Sequence, residues 1–199
     1  MHSSKISLCR SLLLPIGLVS GLRREELCAL RTDDIKQDTT TKRYYFDLHE
    51  NHRTLKNAQS IRKVPIHDSV LDAVLDAVLD AVLYLKKTSE NQYLFPEVIN
   101  QKDRNKSGTL GTWVSRIKSR NMPDDIDLTF HSLRHTFSTI LDNAGFELGY
   151  IQSLMGQKRG AIAYDTYSSG KKFDILCDVL DSITIELAPF IKHFPEAPR

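Results

Sequence analysis

Apolar residues recur at helical spacing in six segments of the 199-residue chain, and this periodicity limits the fold more than any other feature. The clearest stretch begins after Thr129, a residue type suited to capping a helix, and ends before Gly145, which favours a helix stop. Between them one apolar stripe is formed by Phe130, Leu133, Phe137, Ile140 and Leu141. The same spacing predicts helices over residues 5–19, 23–31, 109–119, 147–155 and 172–188.

Only two segments have the composition of β-strands. Residues 43–48 and 60–66 are rich in β-branched and aromatic side chains, and a polar loop separates them. Pro65 has no backbone donor, so we expect the second strand to lie at a sheet edge or to end there. The sequence therefore predicts one α+β domain over residues 1–199, mainly helical, with a small antiparallel sheet near the N-terminal third. We expect this sheet to be three-stranded, although the composition locates only two of its strands.

Basic residues are clustered locally, although the formal net charge is only +2. Such a cluster predicts a surface for a polyanion, and ordinary solvated surface is the alternative, because charge runs usually bind nothing specific. Its members, against the single acid Asp103, are Lys102, Arg104, Lys106, Arg116, Lys118 and Arg120.

The cysteines and the N-terminus indicate the compartment. Cys9, Cys28 and Cys177 are odd in number and lack a CxxC spacing, which argues against a disulfide framework or a zinc site and favours a reducing, intracellular setting. The apolar run after Lys5 and Arg10 mimics a short secretory signal, but it continues into the next helical pattern, as a buried first helix would. No segment approaches the ~20 apolar residues needed to cross a bilayer. We therefore expect a cytoplasmic protein without a membrane partner.

Two short motifs carry side chains suited to holding a phosphate. Arg23 follows Gly21-Leu22 at the predicted start of a helix, and His131 and Arg134 are three residues apart, so they should project together on the flank of the apolar stripe. Guanidinium groups match phosphate geometry and stay charged. A surface salt bridge is the alternative for either arginine, and a structural role is the alternative for the histidine.

Five motifs in this order resemble the catalytic domain of the tyrosine recombinases, the phage integrase family of site-specific DNA recombinases. The family's Gly-Leu-Arg with Glu-Leu matches residues 21–27, and its His-x-x-Arg-His matches residues 131–135. Lys56 precedes an Arg-x-Val-Pro strand at residues 62–65, and Leu-Met-Gly at residues 154–156 precedes the family's active-site loop. Asp-Thr-Tyr-Ser-Ser-Gly at residues 165–170 resembles the segment bearing the nucleophile. The resemblance covers essentially the whole chain.

The sequence also departs from the family pattern. Gln157 stands where the family usually has a histidine and sometimes a tryptophan. The spacing from this position to the tyrosine is slightly stretched, which leaves Tyr164 as an alternative to Tyr167 as the nucleophile. The family's usual N-terminal DNA-clamping domain is missing from the sequence, so the chain resembles an isolated catalytic half.

The resemblance implies a transesterification in which a tyrosine phenol attacks a DNA phosphorus, giving a 3′-phosphotyrosyl link and a free 5′-hydroxyl. Tyr167 would be the nucleophile, His131 would take or steer its proton, and Lys56 would protonate the leaving 5′-oxygen. The two arginines would stabilise the transition state, and the amide of Gln157 would donate a hydrogen bond without shuttling a proton. The implied catalytic set is Arg23, Lys56, His131, Arg134, Gln157 and Tyr167.

The implied partner is double-stranded DNA, bound by a homotetramer, with a monomer as the alternative for the isolated domain. The sequence has no Walker motif, acidic metal cluster or Gly-rich phosphate loop, so we expect no cofactor and no metal. Two other functions stay open: a noncatalytic DNA-binding remnant of a recombinase, and a metal-free phosphohydrolase of small phosphate esters. A covalent protein–DNA adduct would distinguish the recombinase from both.

Overall fold

The computed structural model describes residues 13–49, 60–67, 92–98, 108–125, 127–157 and 171–183, without the side chains of residues 97, 171 and 172. Lys56, Tyr164 and Tyr167 lie outside these ranges, as do residues 102–106 of the basic cluster and the first part of the predicted 5–19 helix. Our predictions for them stay predictions.

The described part of the chain is mainly helical and contains a three-stranded antiparallel sheet, which confirms the predicted fold class. The helices are α1 (residues 13–20), α2 (Arg24–Cys28), α3 (Gly108–Asn121), α4 (Phe130–Asn143), α5 (Leu148–Met155) and α6 (Lys171–Asp181). The strands are β1 (Ile35–Gln37), β2 (Tyr44–Leu48) and β3 (Arg62–Pro65), and short 3₁₀ helices occupy Thr32–Asp34 and Pro96–Val98.

The sheet has the order β1-β2-β3, so β3 with its Pro65 is an edge strand of the described sheet, as predicted. Phe46 in β2 lies opposite Ile35 on one side and Val64 on the other, and the Phe46 and Val64 side chains are fully buried. The sequence did not locate β1, because Lys36 and Gln37 are exposed and carry no strand signal. Pairing with β2 makes this segment a strand.

Two large apolar clusters form most of the core of the described residues, beside a small third cluster of Tyr45, Phe173 and Cys177. The larger one joins α1, α2, the sheet, the Pro96–Val98 turn and α3, and the smaller one joins α4, α5 and α6. Helix α4 connects them, since Phe130 belongs to the first cluster and Phe137 to the second. Arg134 lies between these two positions on the same helix face and is only 3% exposed.

This burial corrects one expectation. We predicted that Arg134 projects on the flank of the apolar stripe, whereas residues 130, 134, 137 and 141 of α4 are all buried and define the stripe together. Their spacing of four, three and four residues places them on one face. A guanidinium therefore occupies a position in the helix face that packs between the two apolar clusters.

Two helices end earlier than predicted because tertiary contacts replace helical bonds. The predicted 23–31 helix ends at Cys28, since the backbone N–H of Arg31 donates to Asp34 Oδ2 at 2.7 Å and that of Thr32 to the Gln92 carbonyl at 3.1 Å, rather than to carbonyls four residues earlier. The predicted 172–188 helix ends at Asp181. Just beyond it, Ile183 is buried and its carbonyl lies 2.9 Å from His67 Nε2.

Helix α6 packs against α4, α5 and β2 of the same chain. Its Leu176, Val179 and Leu180 belong to the smaller cluster, and Phe173 stands edge-on to Tyr45 of β2 with ring centroids 5.4 Å apart. Residues 184–188 of the predicted helix lie outside the described ranges. Over the parts of the chain that are described, no helix has both the length and the apolar character needed to cross a membrane.

Candidate active site

Arg23 is placed by the tight turn between α1 and α2. Gly21 in that turn has φ +59°, a left-handed conformation that side chains disfavour, and Arg23 is the N-cap residue of α2. Its guanidinium donates from Nη1 to Glu26 Oε1 at 2.6 Å and to Ser60 Oγ at 3.3 Å, and from Nη2 to the Gly156 carbonyl at 2.6 Å. The side chain keeps 21% of its surface exposed, so part of it faces solvent.

Arg134 reaches the same place from α4. Its Nη1 donates to the Gly21 carbonyl and its Nη2 to the Met155 carbonyl. Burial and the charge of Arg23 lower the pKa of Arg134 to about 10, which leaves it cationic at neutral pH. Arg23 and Arg134, which are far apart in sequence, therefore converge on adjacent carbonyls at residues 155 and 156.

A third arginine completes this arrangement. Arg62 Nε donates to the Leu154 carbonyl at 2.7 Å, so the carbonyls of three consecutive residues are each bound by a different guanidinium. The two preceding carbonyls, of Gln152 and Ser153, accept the backbone N–H groups of Gln157 and Gly156. All the carbonyls at the end of α5 are thereby satisfied, and cations stand where the helix dipole is negative.

Glu26 neutralises part of this positive charge. Arg62 donates to both carboxylate oxygens of Glu26, at 3.1 and 2.9 Å, and the backbone N–H of Arg23 donates to Oε2 at 2.8 Å. Burial alone would raise the pKa of Glu26, but the hydrogen bond and charge of Arg62, with smaller contributions from Arg23, lower it to about 2. The carboxylate is therefore ionised at any physiological pH.

His131 lies one turn before Arg134 on α4 and is exposed. Its ring stands edge-on to that of His135, with centroids 4.7 Å apart. Desolvation, then the charges of His135, Arg134 and Arg23, lower the pKa of His131 below its ordinary value. The imidazole is therefore mostly neutral at pH 7 and able to accept a proton.

Gln157 is the first residue after the α5 cap and is exposed. Gly156 before it is left-handed, with φ +59°, and turns the chain out of the helix beside Arg23. The structure thus brings Arg23, His131, Arg134 and Gln157 to one region, whereas Lys56 and Tyr167 lie outside its described ranges. Among the residues that are described, no cluster of three or more histidine, cysteine, aspartate or glutamate side chains is able to hold a metal ion.

The roles of Arg62 and Glu26 were not predicted from the sequence. Both belong to motifs that carried the resemblance, the strand motif at residues 62–65 and the Glu-Leu pair after Gly-Leu-Arg. Their presence in these motifs was the sequence signal that could have identified them. Nothing in the local sequence shows that a strand residue and a helix residue 36 positions apart share one ion pair.

The fold is that of the tyrosine recombinases. The XerH site-specific recombinase bound to its difH substrate before cleavage superposes with a TM-score of 0.55 at 21% identity, over 80% of this chain and 42% of that one. The post-cleavage complex of XerH with a palindromic difH substrate gives 0.56 at 21% identity with the same coverage. The XerA recombinase gives 0.50 at 20% identity, over 98% of this chain and 61% of that one.

The phage integrase family model matches residues 1–172, and the chain belongs to that family. A curated relative, tyrosine recombinase XerA of Thermococcus kodakarensis, is 28% identical over 138 residues. The match covers 69% of this chain and 43% of the relative, so the chain spans less than half the length of that protein.

Proposed function

We propose that this chain is the catalytic domain, over residues 1–199, of a site-specific DNA recombinase that cleaves and rejoins strands through a 3′-phosphotyrosyl intermediate. The observation that carries the proposal is the convergence of Arg23 and Arg134 at the carbonyls of residues 155 and 156. Family membership supports it, because strand exchange by a tyrosine is the chemistry that the motifs imply.

The two arginines would act on the phosphate. The transition state of phosphodiester cleavage gathers negative charge on the nonbridging oxygens, and preorganised cations stabilise that charge most where water is excluded. The carbonyl bonds of Arg134 use two of the five guanidinium N–H groups and fix the orientation of the others. Fixed, charged donors of this kind typically contribute on the order of 10² to 10³ in rate.

In the proposed reaction, Tyr167, His131 and Lys56 each have one role. The phenol oxygen of Tyr167 would attack phosphorus while neutral His131 takes or steers the phenol proton, and Lys56 would give a proton to the leaving 5′-oxygen. One phosphorus–oxygen bond forms as one breaks, so the free energy of the DNA phosphodiester is retained in the phosphotyrosyl ester. The 5′-hydroxyl of another strand reverses the step, with no ATP or metal ion consumed.

Gln157 would donate a hydrogen bond to a phosphate oxygen at the position where the family usually has a histidine. Its exposed place beside Arg23 is consistent with such a contact. An amide donates without transferring a proton, so we expect retained but reduced activity.

DNA binding would use the basic residues of α3. Arg116 and Arg120 are exposed on that helix, and Lys118 is partly exposed. Such side chains grip the phosphate backbone independently of sequence, while loops read bases and shape. The proposal includes double-stranded DNA in the cytoplasm as substrate and a homotetramer as the assembly that exchanges strands.

The proposal is tested with a DNA duplex that is nicked near the cleavage site. This substrate traps the covalent intermediate, because the short cleaved strand diffuses away. The wild-type chain should give a protein–DNA adduct on a denaturing gel, Tyr164→Phe should give it as well, and Tyr167→Phe should give none. Tyr164→Phe is the matched control, since it removes the same hydroxyl three residues away. DNA binding without any wild-type adduct would contradict the proposal and favour a noncatalytic DNA-binding remnant.

A further inference from the structure

Among the site residues that the structure describes, Arg62 is the most fully bonded cation, although no step of the proposed reaction uses it. Its side chain is 7% exposed, and each of its three nitrogens donates. The acceptors are the Leu154 carbonyl, both oxygens of Glu26 and, at 3.0 Å, the Ser60 carbonyl. Four of its five N–H groups are thereby occupied, which leaves little capacity to bind a phosphate directly.

The partners of Arg62 are also the partners of Arg23. Glu26 Oε1 accepts from both guanidiniums, and Ser60 accepts Arg23 through its hydroxyl and Arg62 through its carbonyl. Glu26 is 6% exposed and Ser60 1%, so the surrounding protein restricts the movement of both acceptors. The orientation of the Arg23 fork therefore depends on acceptors that Arg62 holds in place.

Arg62 also holds the end of α5. Its bond to the Leu154 carbonyl adjoins those of Arg134 to Met155 and of Arg23 to Gly156, just before Gln157. Because Arg62 is the first residue of β3, one side chain connects the sheet to α2 and to the turn that carries Gln157. Loss of this connection would allow Arg23 and the turn to shift independently.

We propose that Arg62 is a positioning residue, which sets the Arg23 guanidinium through Glu26 and the turn at residues 154–157 through the Leu154 carbonyl. The inference rests on the proposed strand-cleavage function, to which it adds a group that touches no substrate. A misplacement of about 1 Å in a reacting site can cost on the order of 10²-fold in rate. A loss of that size is expected when Arg62 is removed.

The experiment compares Arg62→Met, Arg62→Lys and the control Lys63→Met. Lys63 is the next residue of β3, with its side chain 45% exposed and 3.4 Å from Asp38, so its variant removes the same charge outside the site. At saturating nicked DNA, Arg62→Met should slow single-turnover adduct formation on the order of 10²-fold, with the Kd for DNA unchanged. Arg62→Lys keeps the charge but not the fork, so it should lose less. Lys63→Met should cleave at the wild-type rate.

A double-mutant cycle with Arg23→Lys separates positioning from general stabilisation. If Arg62 acts through Arg23, Arg62→Met should slow the Arg23→Lys protein far less than it slows the wild type. If Arg62→Met slows the Arg23→Lys protein by the same factor as it slows the wild type, the inference is overturned. A loss confined to DNA affinity would also overturn it. If Arg62→Met fails to fold, the same cycle with Arg62→Lys decides the question.

A readout without DNA distinguishes this inference from the proposed function. In ¹⁵N spectra of the free protein, the Arg23 side-chain N–H signals should show restricted rotation in the wild type and in Lys63→Met. That restriction should be reduced in Arg62→Lys. A wild type without adduct would defeat the proposed function, while an Arg23 signal unchanged by Arg62→Lys would defeat the positioning inference even in an active protein.

Discussion

Glu26 allows two guanidinium groups to share one small space. Arg23 and Arg62 both donate to its carboxylate, and the Arg23 fork also reaches the Gly156 carbonyl. Without that negative charge, the cluster of Arg23, Arg62 and Arg134 would be strongly self-repelling in a poorly hydrated site. The residue that organises the site is therefore an acid, although the proposed chemistry is carried by cations.

The low pKa of Glu26 makes stability depend on pH. A decrease from its ordinary 4.5 to about 2 corresponds to roughly 3 kcal/mol of folding free energy. Because the folded-state pKa lies below the unfolded value, this contribution is complete above about pH 4.5 and is lost as the pH falls towards 2. Urea unfolding between pH 5 and 2 should show this loss in the wild type and not in Glu26→Gln.

Glu25→Gln is the matched control, since Glu25 is adjacent and its side chain is 60% exposed. It should retain the acid sensitivity of the wild type. Acid sensitivity of equal size in Glu26→Gln would contradict the assignment.

For individual residues, the sequence predicted which side chains suit a phosphate better than it predicted their burial and their contacts. Arg23 and Arg134 were identified because arginine after Gly-Leu and arginine three residues after histidine are suited to phosphate. The burial of Arg134 was not predicted, because an isolated arginine on an amphipathic helix ordinarily lies at the surface. Arg62 was missed as a site residue because its partners are distant in sequence.

At the scale of elements, the turn between α1 and α2 fixes the site. Gly21 has φ +59°, and its carbonyl accepts from Arg134. A Cβ added there would lie 2.6 Å from Cδ1 of Phe137, a fully buried ring. Only glycine meets both requirements at this position.

Gly21→Ala should therefore lower the free energy of unfolding by about 2 to 5 kcal/mol, the sum of left-handed backbone strain and overpacking. Gly145→Ala is the matched control, because Gly145 has φ +82° but a Cβ there would meet nothing within 4 Å. It should lose only the strain contribution of about 1 to 2 kcal/mol. Urea unfolding checks both variants, and equal losses would contradict the role of the Phe137 contact.

Elements with strong local signals were predicted, and those made by tertiary contacts were not. Helix α4 has a capping residue, an apolar stripe and a terminal glycine, and it was predicted within two residues at its C-terminal end. Strand β1 exists through its pairing with β2, and α6 ends where Ile183 enters the core. Such contacts join distant segments and leave no local pattern to find.

At the scale of the whole molecule, the site lies where two apolar clusters meet. Helices α1 and α2 with the sheet supply Arg23, Glu26 and Arg62 from one side, and α4 and α5 supply Arg134 and the carbonyl-bearing turn from the other. An arrangement of side chains that spans two packed units depends on their relative position. The fold class and the family were predictable from motifs, whereas the junction was not, because its contacts join residues distant in sequence, such as Arg23 with Gly156 and Arg62 with Leu154.

The binding of one phosphate by both Arg23 and Arg134 is tested most directly by the structure of the Tyr167→Phe chain bound to a duplex containing its cleavage site. We expect nonbridging oxygens of one backbone phosphate to lie about 2.7 to 3.1 Å from guanidinium nitrogens of both Arg23 and Arg134. A complex with the DNA bound and the two arginines contacting different phosphates, or none, would contradict it.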